Sequence, residues 1–244
     1  MITEKDVLVC NFDVTPDSFI KPSALFRYYQ QAARENIDAI GLTFEKMLER
    51  GVVFVLTRMK SSVYSEVKGY DVLKIKTTNR AIKGAVFTRD FVVYKGEELV
   101  AEAETQWALI DVNTRRLCRP SVYADYFDEG CELCSFTGAR KLNFDFSLES
   151  SYFYTVTYSD TDENRHFNNT RYIDVCLDAL GGIPEDKRIK DVLIDFVCES
   201  RQGDVLEVKF SRQGDEVLFE AFNASSDKIS FRAKIVFTQK NAVH

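Results

Sequence analysis

Within YSDTDENRHFNNTRYIDV, residues 158–175, Asp160, Asp162, Asn164, His166, Asn168 and Asn169 stand on adjacent or alternate positions just ahead of an apolar-periodic run. The chain has two histidines, His166 and the terminal His244. Proton transfer by an imidazole near neutral pH therefore falls to His166. In an extended segment, D-x-N-x-H puts Asp162, Asn164 and His166 on one side, because side chains alternate. Three polar groups converging ahead of a helix N-terminus suit a developing oxyanion, since free N–H groups and the positive end of the helix point there. Asp and Asn before a helix are also ordinary caps and turn formers, a role open to Asp160, Asn168 and Asn169.

The surrounding elements follow from periodicity. Residues 7–14 read as a strand. Pro22 opens a helix that runs to Gly41, with Leu25, Tyr28, Tyr29, Ala32, Ala33, Ile37 and Ile40 on its apolar face. Strands follow over 52–67, 71–77, 86–94 and 101–110. In the last, Ala101, Ala103, Thr105, Trp107 and Leu109 alternate with Glu102, Glu104 and Gln106, the pattern of a strand with one buried face. The second half repeats the order: a strand at 152–158, the polar stretch, a helix at about 169–180 stopped by Gly181 and Gly182, then strands near 191–199, 204–211, 216–223 and 229–238.

The two halves also agree in letters. SEVKGYDVLKIK (65–76) lies over CESRQGDVLEVK (198–209) at a constant offset of 133, with Glu66 over Glu199. Upstream, an offset of 147 lays Asp13 over Asp160 and Pro22 over Asn169. A repeat of this length is a duplicated domain. The expected divisions are a domain over 1–120, an irregular linker over 121–145 containing Asp128, Gly130 and Gly138, and a domain over 146–244. At the positions of Asp162, Asn164 and His166 the first copy has Thr15, Asp17 and Phe19. The polar set is thus not demanded by the architecture. Glu199, at the end of an apolar strand, is either a fourth site residue or a strand-end surface charge, as Glu66 would be.

Composition excludes several classes. The chain has 244 residues and a net charge of −6, with no Lys/Arg-rich run, so it is a poor nucleic-acid binder. MITEKDVLVC lacks the features of a signal peptide, and no apolar window is long enough for a membrane span. A cytoplasmic protein with reduced thiols is expected. Cys131 and Cys134 form a lone CxxC, read as two thiols in the linker. One internal histidine and scattered cysteines fall short of a zinc site, and neither a phosphate loop nor a G-x-S-x-G elbow is present. No metal or cofactor is expected. Cys176 falls on the apolar face of its helix and reads as core.

DENRHFNNTRYID (162–174) resembles the D-x-N-x-H-x-N-N-x-x-Y-I motif of the acyl-acyl carrier protein thioesterases, and GLTFEKMLERGVVFVLTRM (41–59) is similar to that family's region after its first helix. The resemblance covers almost the whole chain. It implies an α+β fold of two tandem hotdog domains, each a long helix wrapped by an antiparallel sheet. The implied activity is hydrolysis of the thioester between a fatty acyl chain and the phosphopantetheine arm of acyl carrier protein, which frees the fatty acid and ends elongation. Asp162, Asn164, His166 and Glu199 fall on the family's active-site positions. Glu199 or Asp162 would then activate or orient water, and Asn164, His166 and backbone N–H groups would hold the carbonyl. Many members have cysteine directly after the glutamate. Here Ser200 stands there and Cys198 precedes, which speaks against an obligatory covalent cysteine. Tyr28, Tyr29, Phe54 and Trp107 are candidates to line an acyl tunnel or to pack the core. Arg140–Lys141 and Lys187–Arg188–Lys190 are candidate docking patches for the acidic carrier protein. A monomer or a homodimer is compatible with the duplication. The rival readings are an acyl-CoA thioesterase, a hotdog dehydratase, disfavoured by Asn168 and Asn169 after His166, and a non-catalytic acyl-binding regulator, disfavoured by the polar set itself.

Overall fold

A computed structural model describes residues 1–120, 123, 126–127, 130–136, 139–144 and 150–240. His244, Asp128 and Gly138 lie outside the described residues. The chain divides into two compact units, Met1–Ala139 and Arg140–His244.

The first unit runs β1 (Thr3–Leu8), a 3-10 turn (Asn11–Asp13), α1 (Pro22–Ala39), α2 (Phe44–Glu49), β2 (Val52–Val63), β3 (Val72–Asn79), β4 (Val86–Lys95) and β5 (Glu98–Asp111). Its strands pair antiparallel in the order β1-β3-β4-β5-β2. Pro22 opens α1, and Gly41 follows its end at φ +80°. Ala24, Leu25, Phe26, Tyr29, Ala32 and Ala33 bury the helix face, and the Tyr29 ring lies 4.9 Å from that of Phe91 on β4. β1 lies earlier than the apolar run 7–14 suggested. Its charged residues supply the reason: Lys76 on β3 pairs with Glu4 at 2.8 Å, so a polar segment forms the ladder. The short α2 was not read from the sequence, although the Thr43 hydroxyl caps it by accepting from Lys46 N at 3.4 Å.

The second unit has the same plan: β6 (Ser150–Thr155), a 3-10 turn (Tyr158–Asp160), α3 (Tyr172–Ala179), β7 (Lys187–Phe196), β8 (Val205–Gln213), β9 (Glu216–Asn223) and β10 (Lys228–Gln239). Its strand order is β6-β8-β9-β10-β7, the order of the first unit copied strand for strand. Each unit is a hotdog domain. α3 has 8 residues against 18 in α1, and it begins at Tyr172 instead of 169. The reason is local. The Asn168 side chain accepts from Thr170 N at 2.9 Å and the Asn168 carbonyl from Arg171 N at 2.9 Å, so 168–171 form a turn ahead of the helix.

Residues of the expected linker are fixed to the first unit. Residues 131–136 and 139 lie across the first unit's sheet, on the face away from α1, and belong to that unit. Asp90 on β4 accepts from Leu133 N at 2.9 Å and Cys134 N at 3.2 Å. Glu102 on β5 takes Ser135 N at 3.0 Å and Ser135 Oγ at 2.6 Å, and Glu104 takes Ala139 N at 2.9 Å. Glu102 and Glu104 are therefore buried, although their alternation with Ala101, Ala103 and Thr105 marked them for solvent. Arg80 joins the layer, with Nε 2.8 Å from Asp90 Oδ1 and Nη1 3.3 Å from Glu104 Oε2. Gly130 leads into the strap where an added Cβ would meet Asn79 O at 2.3 Å, a space only glycine fits. Burial and the neighbouring carboxylate of Asp90 push the Cys134 thiol up to about 12, and its Sγ lies 3.1 Å from Ala103 O. Cys131 is exposed.

Replacing Arg80 by Leu would strand the buried Asp90 and Glu104 carboxylates. The expected cost is about 3–5 kcal/mol of unfolding free energy, read by urea denaturation. A change below ~1 kcal/mol would show that the strap holds without its cation.

Candidate active site

The site is built on a buried carboxylate. Asp160 is 2% exposed and closes the 3-10 turn after β6. It accepts from Thr157 N at 2.8 Å, Thr157 Oγ1 at 2.7 Å and Tyr154 Oη at 2.8 Å, and it pairs with Arg171 at 3.3 Å. Burial alone would raise its pKa. The Thr157 and Tyr154 donors and the Arg171 charge outweigh that and hold it below the usual carboxylate range. In return, burial and the hydrogen bond to Asp160 push the Tyr154 phenol up to about 12. The first unit has the same device: buried Asp13 accepts from Arg27 at 2.6 Å and from Tyr28 Oη at 2.7 Å.

From each aspartate the chain makes the same tight loop. Thr15 N donates to Phe19 O at 2.7 Å and Asp162 N to His166 O at 2.9 Å. Ser18 and Arg165 take matching left-handed conformations, φ 67° and 63°. Each loop then forms an antiparallel bridge to the segment joining its unit's second and third strands: Phe19 faces Lys68, between β2 and β3, and His166 faces Arg201, between β7 and β8. Phe167 N donates to Ser200 O at 2.8 Å, as Ile20 N does to Val67 O at 2.9 Å.

That bridge brings two of the four candidate residues together. His166 Nε2 lies 3.3 Å from Glu199 Oε2, with the side chains 25% and 38% exposed. The other oxygen, Oε1, lies 3.2 Å from Arg201 Nη2. Asp162 is turned into its own loop, where Oδ1 accepts from Asn164 N at 2.8 Å and from His166 N at 3.2 Å. It thereby fixes the backbone that carries the imidazole. Asn164 is exposed, and no hydrogen bond joins its side chain to the His166–Glu199 pair among the described residues. α3 begins six residues after His166, and its entrance is occupied by the Asn168–Thr170 cap. In the first unit the counterpart of His166 is Phe19, whose ring takes Lys68 Nζ at 5.4 Å from its centroid, while Glu66 pairs with Lys68 at 3.9 Å. The missed contributor is Arg201, which a strand-end reading of Glu199 offered no reason to select.

Ser200 and Cys176 are committed elsewhere. Ser200 is 0% exposed, with Oγ 2.8 Å from Ser230 Oγ and accepting from Asn223 Nδ2 at 3.2 Å. Ser200 is thus buried where Glu199 beside it is half-exposed. Cys176 is buried, and burial raises its thiol well above the usual value. Of the tunnel candidates, Tyr29 is fully buried beneath α1, Tyr28 is bonded to Asp13, Phe54 stacks edge-on to Phe87 at 4.8 Å, and Trp107 Nε1 donates to Thr105 Oγ1 at 2.9 Å. Arg140, Lys141 and Lys190 are exposed, and Lys187 pairs with Asp215 at 2.6 Å.

Family models agree with this division. That of the acyl-ACP thioesterase N-terminal domain matches residues 3–129, and that of the C-terminal domain matches 147–242. A chloroplastic acyl-[acyl-carrier-protein] hydrolase of Cuphea viscosissima is 21% identical over 230 residues, 86% of this chain and 56% of the relative. A chloroplastic oleoyl-acyl carrier protein thioesterase of Coriandrum sativum is 25% identical over 196 residues, 71% and 51%. The chain thus spans about half the length of the curated relatives it matches. Among solved structures, an acyl-ACP thioesterase from Bacteroides thetaiotaomicron superposes with a TM-score of 0.86 at 23% identity, covering 97% of this chain and 98% of the other. A 12:0-ACP thioesterase from Umbellularia californica gives 0.84 at 19%, covering 98% of each. At these identities the structures speak for the fold.

Asp160→Asn removes one charged acceptor from a fully occupied site. The expected loss is about 2 kcal/mol at pH 7. Because the folded pKa is depressed, Asp160 contributes its full stability above its unfolded value, about 4. That contribution disappears as pH falls through the lower folded value. Stability curves of wild type and variant should therefore converge in acid, and a constant gap would refute the ionised role.

Proposed function

The chain belongs to the acyl-ACP thioesterase family, and from that premise we propose that it hydrolyses fatty acyl thioesters of acyl carrier protein (ACP), releasing the free fatty acid. The observation that carries the reading is the His166–Glu199 pair, at 3.3 Å, in the copy that has histidine where its duplicate has Phe19. An imidazole and a carboxylate in contact, both partly open to solvent, form a water-activating pair.

In this reading Glu199 takes a proton from a water that attacks the thioester carbonyl carbon. The C–O bond forms, the carbonyl π electrons move onto oxygen, and His166 stabilises that oxyanion. Collapse restores the carbonyl, breaks the C–S bond and expels the phosphopantetheine sulfur. A thiol has a pKa of about 8.5, so its thiolate leaves readily and the proton on Glu199 completes the product. Arg201 orients the carboxylate through its other oxygen. Asp162 acts on the loop: by holding the Asn164 and His166 N–H groups it keeps the imidazole in register with Glu199. Asn164, exposed beside them, is assigned to the substrate carbonyl. The absence of a reactive cysteine after Glu199 supports direct attack by water over an acyl-enzyme.

No helix among the described residues is long and apolar enough to cross a membrane. We assign the protein to the cytoplasm, where ACP meets it through the basic residues Arg140, Lys141 and Lys190, with a single chain as the working unit because it carries both hotdog copies.

His166→Ala, Glu199→Gln and Asp162→Ala should each lower kcat on acyl-ACP by about 100-fold or more with unchanged circular dichroism. Ser200→Ala should cost stability and leave kcat near wild type. Near-normal turnover in the first three would sink the site, and a dead Ser200→Ala that is still folded would restore a nucleophile at 200. Parallel assays with acyl-CoA test the carrier, and faster CoA turnover would overturn the ACP assignment.

A further inference from the structure

We infer that Ser230, on the bulge of β10, is a positioning residue for Glu199, given the water-activating role proposed for that carboxylate. Its buried hydroxyl pins the peptide ahead of Glu199 and so aims the carboxylate at the imidazole.

Ser230 is the residue that the register between β10 and β9 skips, between Ile229 and Phe231. A bulge of this kind re-aims the groups beside it. The Ser230 carbonyl accepts from Val197 N at 2.9 Å and from Cys198 N at 3.0 Å, and its hydroxyl donates to Cys198 O at 3.3 Å. Both backbone groups of Cys198 are thus tied to one residue. On the other side of Glu199, Ser200 Oγ lies 2.8 Å from Ser230 Oγ and accepts from Asn223 Nδ2 at 3.2 Å. Asn223 also donates to Asp204 Oδ2 at 2.8 Å, and that oxygen accepts from Arg201 N at 2.9 Å. The direction of the chain is forced. The Asn223 amide nitrogen only donates, and the Cys198 carbonyl only accepts. Ser200 therefore donates to Ser230, and Ser230 to Cys198. The Tyr172 hydroxyl is bonded to both serines. Ser200→Ala consequently leaves Ser230 its acceptor at Cys198 and its partner at Tyr172, and the pinned peptide survives.

The first unit shows that the fold does not ask for these hydroxyls. Leu25, Val67 and Val100 stand where the second unit has Tyr172, Ser200 and Ser230, and all six side chains are buried. Val100 is likewise the residue skipped between β5 and β4. The backbone bonds around the bulge are kept: Val100 O accepts from Tyr64 N at 2.8 Å, and Val67 O from Ile20 N at 2.9 Å. The bond that differs is the one next to the glutamate. Ser65 N reaches Val100 O at 3.5 Å, against 3.0 Å between Cys198 N and Ser230 O. Burying hydroxyls where valines fit is unfavourable unless each is bonded. The second unit accepts that burden where a hydroxyl tightens the strand end that bears Glu199.

Valine and threonine share a shape and differ at one hydroxyl, so Ser230→Val against Ser230→Thr isolates the bond to Cys198. On acyl-ACP, Ser230→Val should lose about tenfold or more in kcat with KM within about twofold, equally at every acyl length. Ser230→Thr should keep kcat within about threefold of wild type. In a Glu199→Gln background Ser230→Val should cost nothing further, because the group it aims is already gone. Equal kcat in the valine and threonine variants, or a full loss added to that of Glu199→Gln, overturns the assignment; the second is the mark of a merely structural serine. If Ser230→Val fails to fold, Ser230→Ala takes its place, read against wild type. Nuclear magnetic resonance supplies a readout without substrate. The ring resonances of His166, to be told only from those of the terminal His244, should move in Ser230→Val toward their positions in Glu199→Gln and stay in place in Ser230→Thr. Resonances that do not move in Ser230→Val overturn the positioning role. That movement without hydrolysis of any thioester leaves the positioning and removes the thioesterase. Wild-type turnover in Ser230→Val does the reverse.

Discussion

Everything at the candidate site of the second unit hangs on one desolvated carboxylate. Asp160 collects two donors from Thr157, one from Tyr154 and the charge of Arg171. A carboxylate so buried would be expensive without that full set, and with it the turn has one conformation. The loop that follows inherits a fixed starting direction. Its left-handed residue, Arg165, then lays His166 opposite Arg201 and within reach of Glu199. The distance between the imidazole and the carboxylate is thus set by backbone pairing and by a residue that touches neither.

Comparison of the copies separates what the fold requires from what chemistry adds. Asp13 and Asp160, Ser18 and Arg165, and the two loop bridges are common to both units. Glu66 and Glu199 are shared as well, each paired to the cation two positions on. The change that distinguishes the equipped copy is concentrated at Phe19 versus His166, with Thr15 and Asp17 giving way to Asp162 and Asn164. A scaffold that already aims a side chain at a half-exposed glutamate needs few substitutions to become a proton-transfer site.

The duplication and the succession of elements were legible because they are local or periodic. Proline at the start of α1, glycine after it, and alternation along β5 are short-range signals that tertiary contacts did not override. What escaped depends on long-range partners. The burial of Glu102 and Glu104 could not be read from alternation, because their cover comes from a segment some thirty residues later that has no period of its own. The inward turn of Asp162 was hidden for a related reason: an aspartate two residues before an asparagine caps its own loop as readily as it faces a substrate. The N-terminal boundary of α3 was missed where Asn168 and Thr170 form a cap from the same residues that a helical reading would absorb.

The strap over the first unit also constrains the order of events during synthesis. Its anchors are Asp90 on β4 and Glu102 and Glu104 on β5, so Leu133, Ser135 and Ala139 need those strands already made to find their partners. Until then three carboxylates and Arg80 stay hydrated, and the sheet's outer face is open. The first unit therefore reaches its final dry state only when Ala139 has left the ribosome, which is the point at which the second unit begins. The segment between the repeats is the last part of the first unit to be made, and domains generally fold as units in chain order.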